Sequence, residues 1–235
     1  MLRTLVFFLL FWPLTFFVAI TGILVSLLGA DLFHSYSRLW GRAALLLAGV
    51  RLEVEGLEHL PRQGPVILMA NHQSSFDIFA LQWALPIQFR FLAKTELFRI
   101  PVVGMAMRRI GHIPVDRGDS RKAMHSLREA GRRIASGTSA VIFPEGTRSS
   151  DGFLLPFKKG GFLLALQARV PLVPVAIDGS YRIMPKGTRC ICGGRIRMRL
   201  FAPIETVGMD RRRSEELMEQ VRSRIASAID KECAP

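Results

Sequence analysis

Apolar residues fall along this chain in three regimes. Thr4 to Ala30 carries no charged residue and exceeds the roughly 20 residues that cross a bilayer core. Arg3 precedes it, as in a signal peptide. The run is longer than a signal's apolar region, however, and ends at Gly29-Ala30-Asp31 without a small-x-small cleavage pattern. It reads as a retained anchor, and Pro13 is expected to bend or break a helix there. Leu32 to Val50 is amphipathic, with Arg38 and Arg42 among apolar residues. A spanning helix followed by a surface helix fits this pattern, and so does a helical hairpin dipping into one leaflet.

In the third regime short apolar runs alternate with helical stripes. Strands are expected at residues 65–70, 88–93, 112–115, 139–143, 172–177 and 194–201. Helices are expected at 76–85, 102–109, 120–136, 161–169 and 210–231. In the third of these Ala123, Leu127, Ala130 and Ile134 form one stripe, and Gly137 stops it. The pattern predicts an α/β protein, a layered mixed sheet flanked by helices and preceded by an N-terminal apolar helical anchor. Residues 1–50 form the expected anchoring helices and 51–235 the expected catalytic domain.

Two polar stretches follow strands. In Asn71-His72-Gln73-Ser74-Ser75-Phe76-Asp77 a histidine and an aspartate stand five positions apart. That spacing fits neither one helix face nor one strand face, so the side chains meet only where the backbone turns. With His72 at a strand's exit and Asp77 in the first turn of a helix capped by Ser74 or Ser75, the carboxylate orients a general base. The plainer alternative is a loop pair closing a strand-helix turn. The second stretch, Phe143-Pro144-Glu145-Gly146-Thr147-Arg148-Ser149, lies where anions bind in α/β sheets. Arg148 there carries a fork of donors suited to phosphate.

These two boxes, NHxxxxD and FPEGTRS, resemble motifs I and III of the glycerolipid acyltransferase family, specifically the lysophosphatidic acid acyltransferases. Lys94-Thr95-Glu96-Leu97-Phe98-Arg99-Ile100-Pro101 with Gly104, continuing through Ile113-Pro114-Val115-Asp116-Arg117, is similar to motif II. Val170 to Ile177 is similar to motif IV, and the match runs from about Gly56 to Gly179. The resemblance implies acyl transfer from acyl-CoA or an acyl carrier protein to the sn-2 hydroxyl of 1-acyl-sn-glycerol 3-phosphate, giving phosphatidic acid. It also implies a two-helix hairpin at the N-terminus, and basic residues Lys94 and Arg117 joining Arg148 at the acceptor phosphate. Glu145 is expected to hold Arg148 or to contact the acceptor's glycerol hydroxyl. Gly146 allows curvature in that turn, and Thr147 joins the substrate-binding set. Pro171 and Pro174 are expected to shape the wall beside the acyl channel.

The formal net charge of +13 sharpens the partner class. The carboxyl-terminal stretch from Met209 is balanced, so the excess lies between Arg90 and Arg133 and between Lys158 and Arg199. Such a surface attracts anionic headgroups, each nearby cation adding about 1 kcal/mol. Nucleic acid is the rival partner, but no helix-turn-helix, zinc-finger or RNP-like signature occurs and an apolar anchor serves no such role. Arg38, Arg42 and Arg51 after the anchor favour a catalytic domain on the cytoplasmic side of the membrane. Cys190 and Cys192, placed on a strand, and Cys233 form no metal-site or disulfide pattern.

His72 is expected to take the acceptor's hydroxyl proton as the oxygen attacks the thioester, with Asp77 fixing the tautomer. Ser74 or Ser75 as a nucleophile is disfavoured, because there is no G-x-S-x-G elbow. No metal or cofactor is expected, since a thioester is already activated. Three readings stay open: lysophosphatidate acylation, acylation of another acceptor by the same site, and a non-enzymatic basic membrane-binding protein. The other acceptors are glycerol 3-phosphate, a lysophospholipid with a larger headgroup, or a lyso-ornithine lipid.

Overall fold

The computed structural model describes residues 1–116 and 120–230, the backbone alone for 120–122. Seven strands form one sheet: β1 Val50–Glu55, β2 Ile67–Ala70, β3 Arg90–Lys94, β4 Ile113–Val115, β5 Ala140–Ile142, β6 Leu172–Asp178 and β7 Gly194–Leu200. Their order is β1-β7-β6-β2-β5-β3-β4. Every neighbouring pair is parallel except β6 and β7.

The central strands read as continuous apolar runs because both their faces are covered. Side chains alternate between two cores, as a period of two requires. Leu68 and Ala70 of β2, Phe91 of β3 and Val141 of β5 enter one core; Ile67, Met69, Leu92 and Ile142 enter the other. The first core is closed by α1 Leu2–Val25, α2 Ala30–Ala48 and α3 Phe76–Ala84. The second is closed by α5 Ser120–Ala135, α6 Lys159–Ala168 and α8 Ser214–Ala226. Two short helices, α4 Val103–Arg109 and α7 Ser180–Ile183, follow β3 and β6.

α1 and α2 lie against one another. The Trp40 indole N–H donates to Thr15 Oγ1 at 3.0 Å, and Thr21 and Tyr36 share a hydrogen bond at 2.9 Å. Gly22 admits the Phe33 ring, since a Cβ there would fall 2.0 Å from it. The pair shares the first core: Phe7 and Phe11 of α1 pack with Phe76 and Phe79 of α3. Pro13 does not break α1, which continues from Leu2 to Val25. Phe7 and Phe11 before the proline and Ala19 and Gly22 after it are buried, so packing anchors both halves. The other side of α1 leaves Leu2, Leu5, Leu9, Phe17 and Leu24 exposed. Arg38 and Arg42 lie over the Trp83 ring of α3.

Several expectations shift. β1 was not anticipated, because its alternating charges (VRLEVE) pair beside the equally charged β7. The expected helix at 210–231 is a turn of 3-10 helix, Arg211–Arg213, followed by α8. Cys190 and Cys192 are exposed in the loop before β7, not on a strand. Cys233 lies outside the described residues.

Candidate active site

The site is built where β2 and β5 end. Asn71 extends β2 with its side chain: Nδ2 donates to the Ile177 carbonyl at 2.8 Å, and Oδ1 accepts the Ile177 N–H at 2.7 Å. The chain then turns through His72. The His72 N–H donates to Glu145 Oε1 at 2.6 Å, and its carbonyl accepts the Ser149 N–H at 2.8 Å. The turn after β5 thus grips His72 by both backbone groups.

Asp77, fully buried in the first turn of α3, supplies the orienting carboxylate. Its Oδ2 accepts from His72 Nδ1 at 2.8 Å, from the Gln73 N–H at 2.8 Å and from the Ser74 N–H at 2.9 Å. Oδ1 is buried without a partner among the described residues, so the carboxylate's hydrogen bonding converges on the atom that holds the imidazole. With Nδ1 as donor, Nε2 carries the lone pair. The ring lies flat on Phe143, centroids 4.0 Å apart at 17°.

Both serines are engaged elsewhere. Ser74 Oγ donates to the Met184 carbonyl at 2.9 Å, and Ser75 Oγ accepts from Arg148 Nη1 at 2.9 Å. Neither hydroxyl is hydrogen-bonded to the imidazole.

Glu145 does not hold Arg148. It is 2% exposed and accepts two backbone N–H groups, those of His72 and of Leu155 at 2.9 Å. Burial pushes its carboxyl up to about 7, against the pull of those two donors, and the nearby Asp77 charge adds to the rise. Arg148 is half-buried and has no carboxylate partner among the described residues. Thr147 Oγ1 accepts from Lys186 Nζ at 3.1 Å. Gly146 has φ +74°, and its missing Cβ leaves room for the Lys158 side chain, which a methyl would meet at 3.1 Å. The structure therefore brings His72, Asp77 and Glu145 together, with Arg148 beyond Ser75. Lys94 is exposed and lies 3.3 Å from Glu96. Arg117 lies outside the described residues.

A cavity of about 240 Å³ lies beside the site on the first face, between α1, α2 and α4. Val18, Trp40, Phe91, Val103 and Ile110 are among its walls; Pro171 and Pro174 are not. Both prolines belong to the β6 region, on the other side of β2 from this cavity. Phe143, Ser149 and Lys158 were not singled out as site residues. Phe143 and Ser149 flank the Glu145 turn, and that adjacency was the available signal. Among the described residues no group of three or more His, Cys, Asp or Glu side chains is placed to hold a metal.

A histidine held by a buried aspartate thus stands at the carboxyl end of β2, an inner strand of the sheet. A family model described as Acyltransferase matches residues 51–178, and the chain belongs to that family. It is 35% identical over 199 residues to a chloroplastic 1-acyl-sn-glycerol-3-phosphate acyltransferase of Brassica napus, covering 84% of this chain and 56% of the relative. It is 36% identical over 164 residues to the bovine enzyme named 1-acyl-sn-glycerol-3-phosphate acyltransferase alpha, covering 69% and 57% respectively. The chain thus spans less than two thirds of these relatives' length. The crystal structure of the lysophosphatidate acyltransferase PlsC from Thermotoga maritima superposes with a TM-score of 0.85 at 28% identity, covering 100% of this chain and 97% of that one.

Proposed function

We propose that this protein transfers an acyl chain from a thioester to the sn-2 hydroxyl of a membrane-embedded 1-acyl-sn-glycerol 3-phosphate. The observation that carries the reading is the His72 Nδ1 to Asp77 Oδ2 hydrogen bond of 2.8 Å, which leaves Nε2 as the base. The names of the similar proteins support the acceptor.

Nε2 takes the hydroxyl proton as the oxygen forms its bond to the thioester carbonyl carbon. The tetrahedral intermediate collapses, the carbon–sulfur bond breaks, and the departing thiolate receives the proton from the imidazolium. Asp77 stabilises that imidazolium without taking its proton. Transfer is direct, because the serine hydroxyls are bonded elsewhere. The donor is acyl-CoA or an acyl carrier protein, and its activated thioester needs no metal.

Arg148 binds the acceptor phosphate, with Lys94 and Arg117 contributing positive potential. The apolar cavity under α1 and α2 takes an acyl chain. The exposed apolar side of α1, continued by Leu39 and Leu46 of α2, seats the hairpin in the cytoplasmic leaflet. The site then opens at the interface where a lysolipid lies. Purified protein in vesicles, given a labelled acyl thioester and a panel of lysolipids, tests this. Label should enter phosphatidate when lysophosphatidate is offered. Preferential labelling of a product from glycerol 3-phosphate or from a larger-headgroup lysolipid contradicts the assignment.

A further inference from the structure

A second cavity, of about 300 Å³, lies on the opposite face of the sheet from the first. Leu92, Val115, Leu127 and Ile142 form apolar walls, and Phe143 and Lys158 border it. Phe143 is also the residue on which His72 lies. It stacks in turn on Phe91, a wall of the first cavity, with centroids 6.4 Å apart at 7°. The two cavities therefore flank one aromatic column, and the base sits at its end.

Their chemistry differs. The first is apolar and has no lysine or arginine on its walls. The second has a cation at its rim. Lys158 is exposed, makes no ion pair with any described residue, and crosses the space left open by Gly146. Lys94 lies on the same side. It follows Leu92 by two positions on β3, and its Cα is in register with that of Val115, a wall residue.

We propose that this second cavity seats the 4′-phosphopantetheine arm of the acyl donor, with Lys158 at its phosphate; this rests on the acyl-transfer reading above. The arm is a chain of amides and a dimethyl-substituted carbon ending in a phosphate. Apolar walls with a lysine at the rim match that sequence of groups. A glycerophosphate headgroup is short and wholly polar, and gains nothing from Leu92, Leu127 or Ile142. With the acyl chain in the first cavity and the arm in the second, the thioester crosses the sheet edge beside His72. Arg148 is left for the acceptor.

Lys158→Ala, Lys158→Arg and Leu127→Trp test the site. Lys158→Ala should raise KM for the full acyl donor about tenfold, the lower end for losing a hydrogen bond to a charged group. It should leave KM for lysophosphatidate unchanged and have no effect on an S-acyl N-acetylcysteamine donor, which lacks the phosphate. Lys158→Arg should retain most donor affinity, and Leu127→Trp should exclude the arm by filling the cavity. Running acyl-CoA and acyl carrier protein side by side identifies which supplies the arm. A rise in the acceptor constant instead, or an equal loss with the truncated donor, overturns the assignment.

Calorimetric binding of 4′-phosphopantetheine to the His72→Ala protein is read independently of turnover. Binding that weakens in Lys158→Ala, and is stronger than that of pantetheine without phosphate, supports the site even if the acceptor reading fails. Equal affinity for the two compounds overturns the site even if transfer occurs.

Discussion

Glu145 receives the backbone N–H of His72 at 2.6 Å, which ties the strand end carrying the base to the turn after β5. The same carboxylate takes the Leu155 N–H. It thus holds the His72 backbone in place, and burial pushes its carboxyl up to about 7.

Folding raises this carboxyl from its ordinary value of 4.5, so between 4.5 and about 7 the folded state binds the extra proton. Its contribution to stability is full below 4.5 and is lost as pH rises through 7, about 3 kcal/mol at 1.36 kcal/mol per unit. Glu145→Gln should remove that slope. The measurement is the unfolding free energy of both proteins at pH 5 and pH 8. An identical difference between them at the two pH values would contradict the assignment.

Two buried histidines have the opposite sign. Burial first, then Arg90 and Arg38, holds His34 down to about 4. Burial first, then His34 and Arg90, holds His112 down to about 3. Asp31, which pairs with Arg90, partly offsets the effect at His34. The folded state refuses protons that the unfolded chain accepts below 6.5, so this stability is present above 6.5 and is lost as pH falls toward 4. Neither ring nitrogen of His34 has a hydrogen-bond partner among the described residues, and its ring packs edge-on against Phe89. His34→Phe should raise the melting temperature at pH 5 much more than at pH 8. A uniform change at both would contradict the account.

The hairpin is both a part of the core and an apolar exposed surface, and the two roles separate by face. Phe11→Ala on the inner face should cost about 3–5 kcal/mol of stability, the usual range for a buried phenylalanine. Leu9→Ser with Phe17→Ser on the outer face should leave the melting temperature in detergent nearly unchanged but release the protein from vesicles. Activity on bilayer-embedded acceptor should then fall more than activity on a short-chain soluble one. Unaltered vesicle binding in the double variant would rule out the outer face as the contact.

Among the described residues Arg148 has one neutral partner, Ser75 Oγ, which leaves it available to an anion. Arg148→Ala should cost ~2–5 kcal/mol in kcat/KM for lysophosphatidate, the range for breaking a desolvated charge pair. Arg148→Lys should recover part, since a point charge does not reproduce the bidentate fork. Steady-state kinetics with each substrate varied in turn decides it. A rise confined to the donor's constant would reverse the assignment.

The His72–Asp77 pair was legible because a five-residue spacing after an apolar strand and before a helix leaves one geometry for contact. β2, β5 and β6 were legible because strands covered on both faces must be apolar throughout. β1 was not: an edge strand of alternating charge resembles a surface loop until β7 supplies Arg195 and Arg199 to pair with Glu53 and Glu55. For Glu145 a contact with Arg148 or with the acceptor's glycerol hydroxyl was expected, and the first does not form. Its partners are backbone N–H groups, which every residue carries and no sequence pattern marks. Pro13 misled for a related reason, since burial of Phe7, Phe11 and Ala19 is a tertiary fact that outweighs a local preference.

The central claim is that His72 is the base for acyl transfer to lysophosphatidate. The direct test is phosphatidate formation from a labelled acyl thioester and lysophosphatidate in vesicles, by wild type and His72→Ala side by side. The account predicts that the variant folds, binds vesicles and retains affinity for both substrates, while turnover falls on the order of 10²–10⁴-fold. Asp77→Asn should fall in between, because it misorients the imidazole without removing it. Turnover by His72→Ala close to that of the wild type would contradict the account.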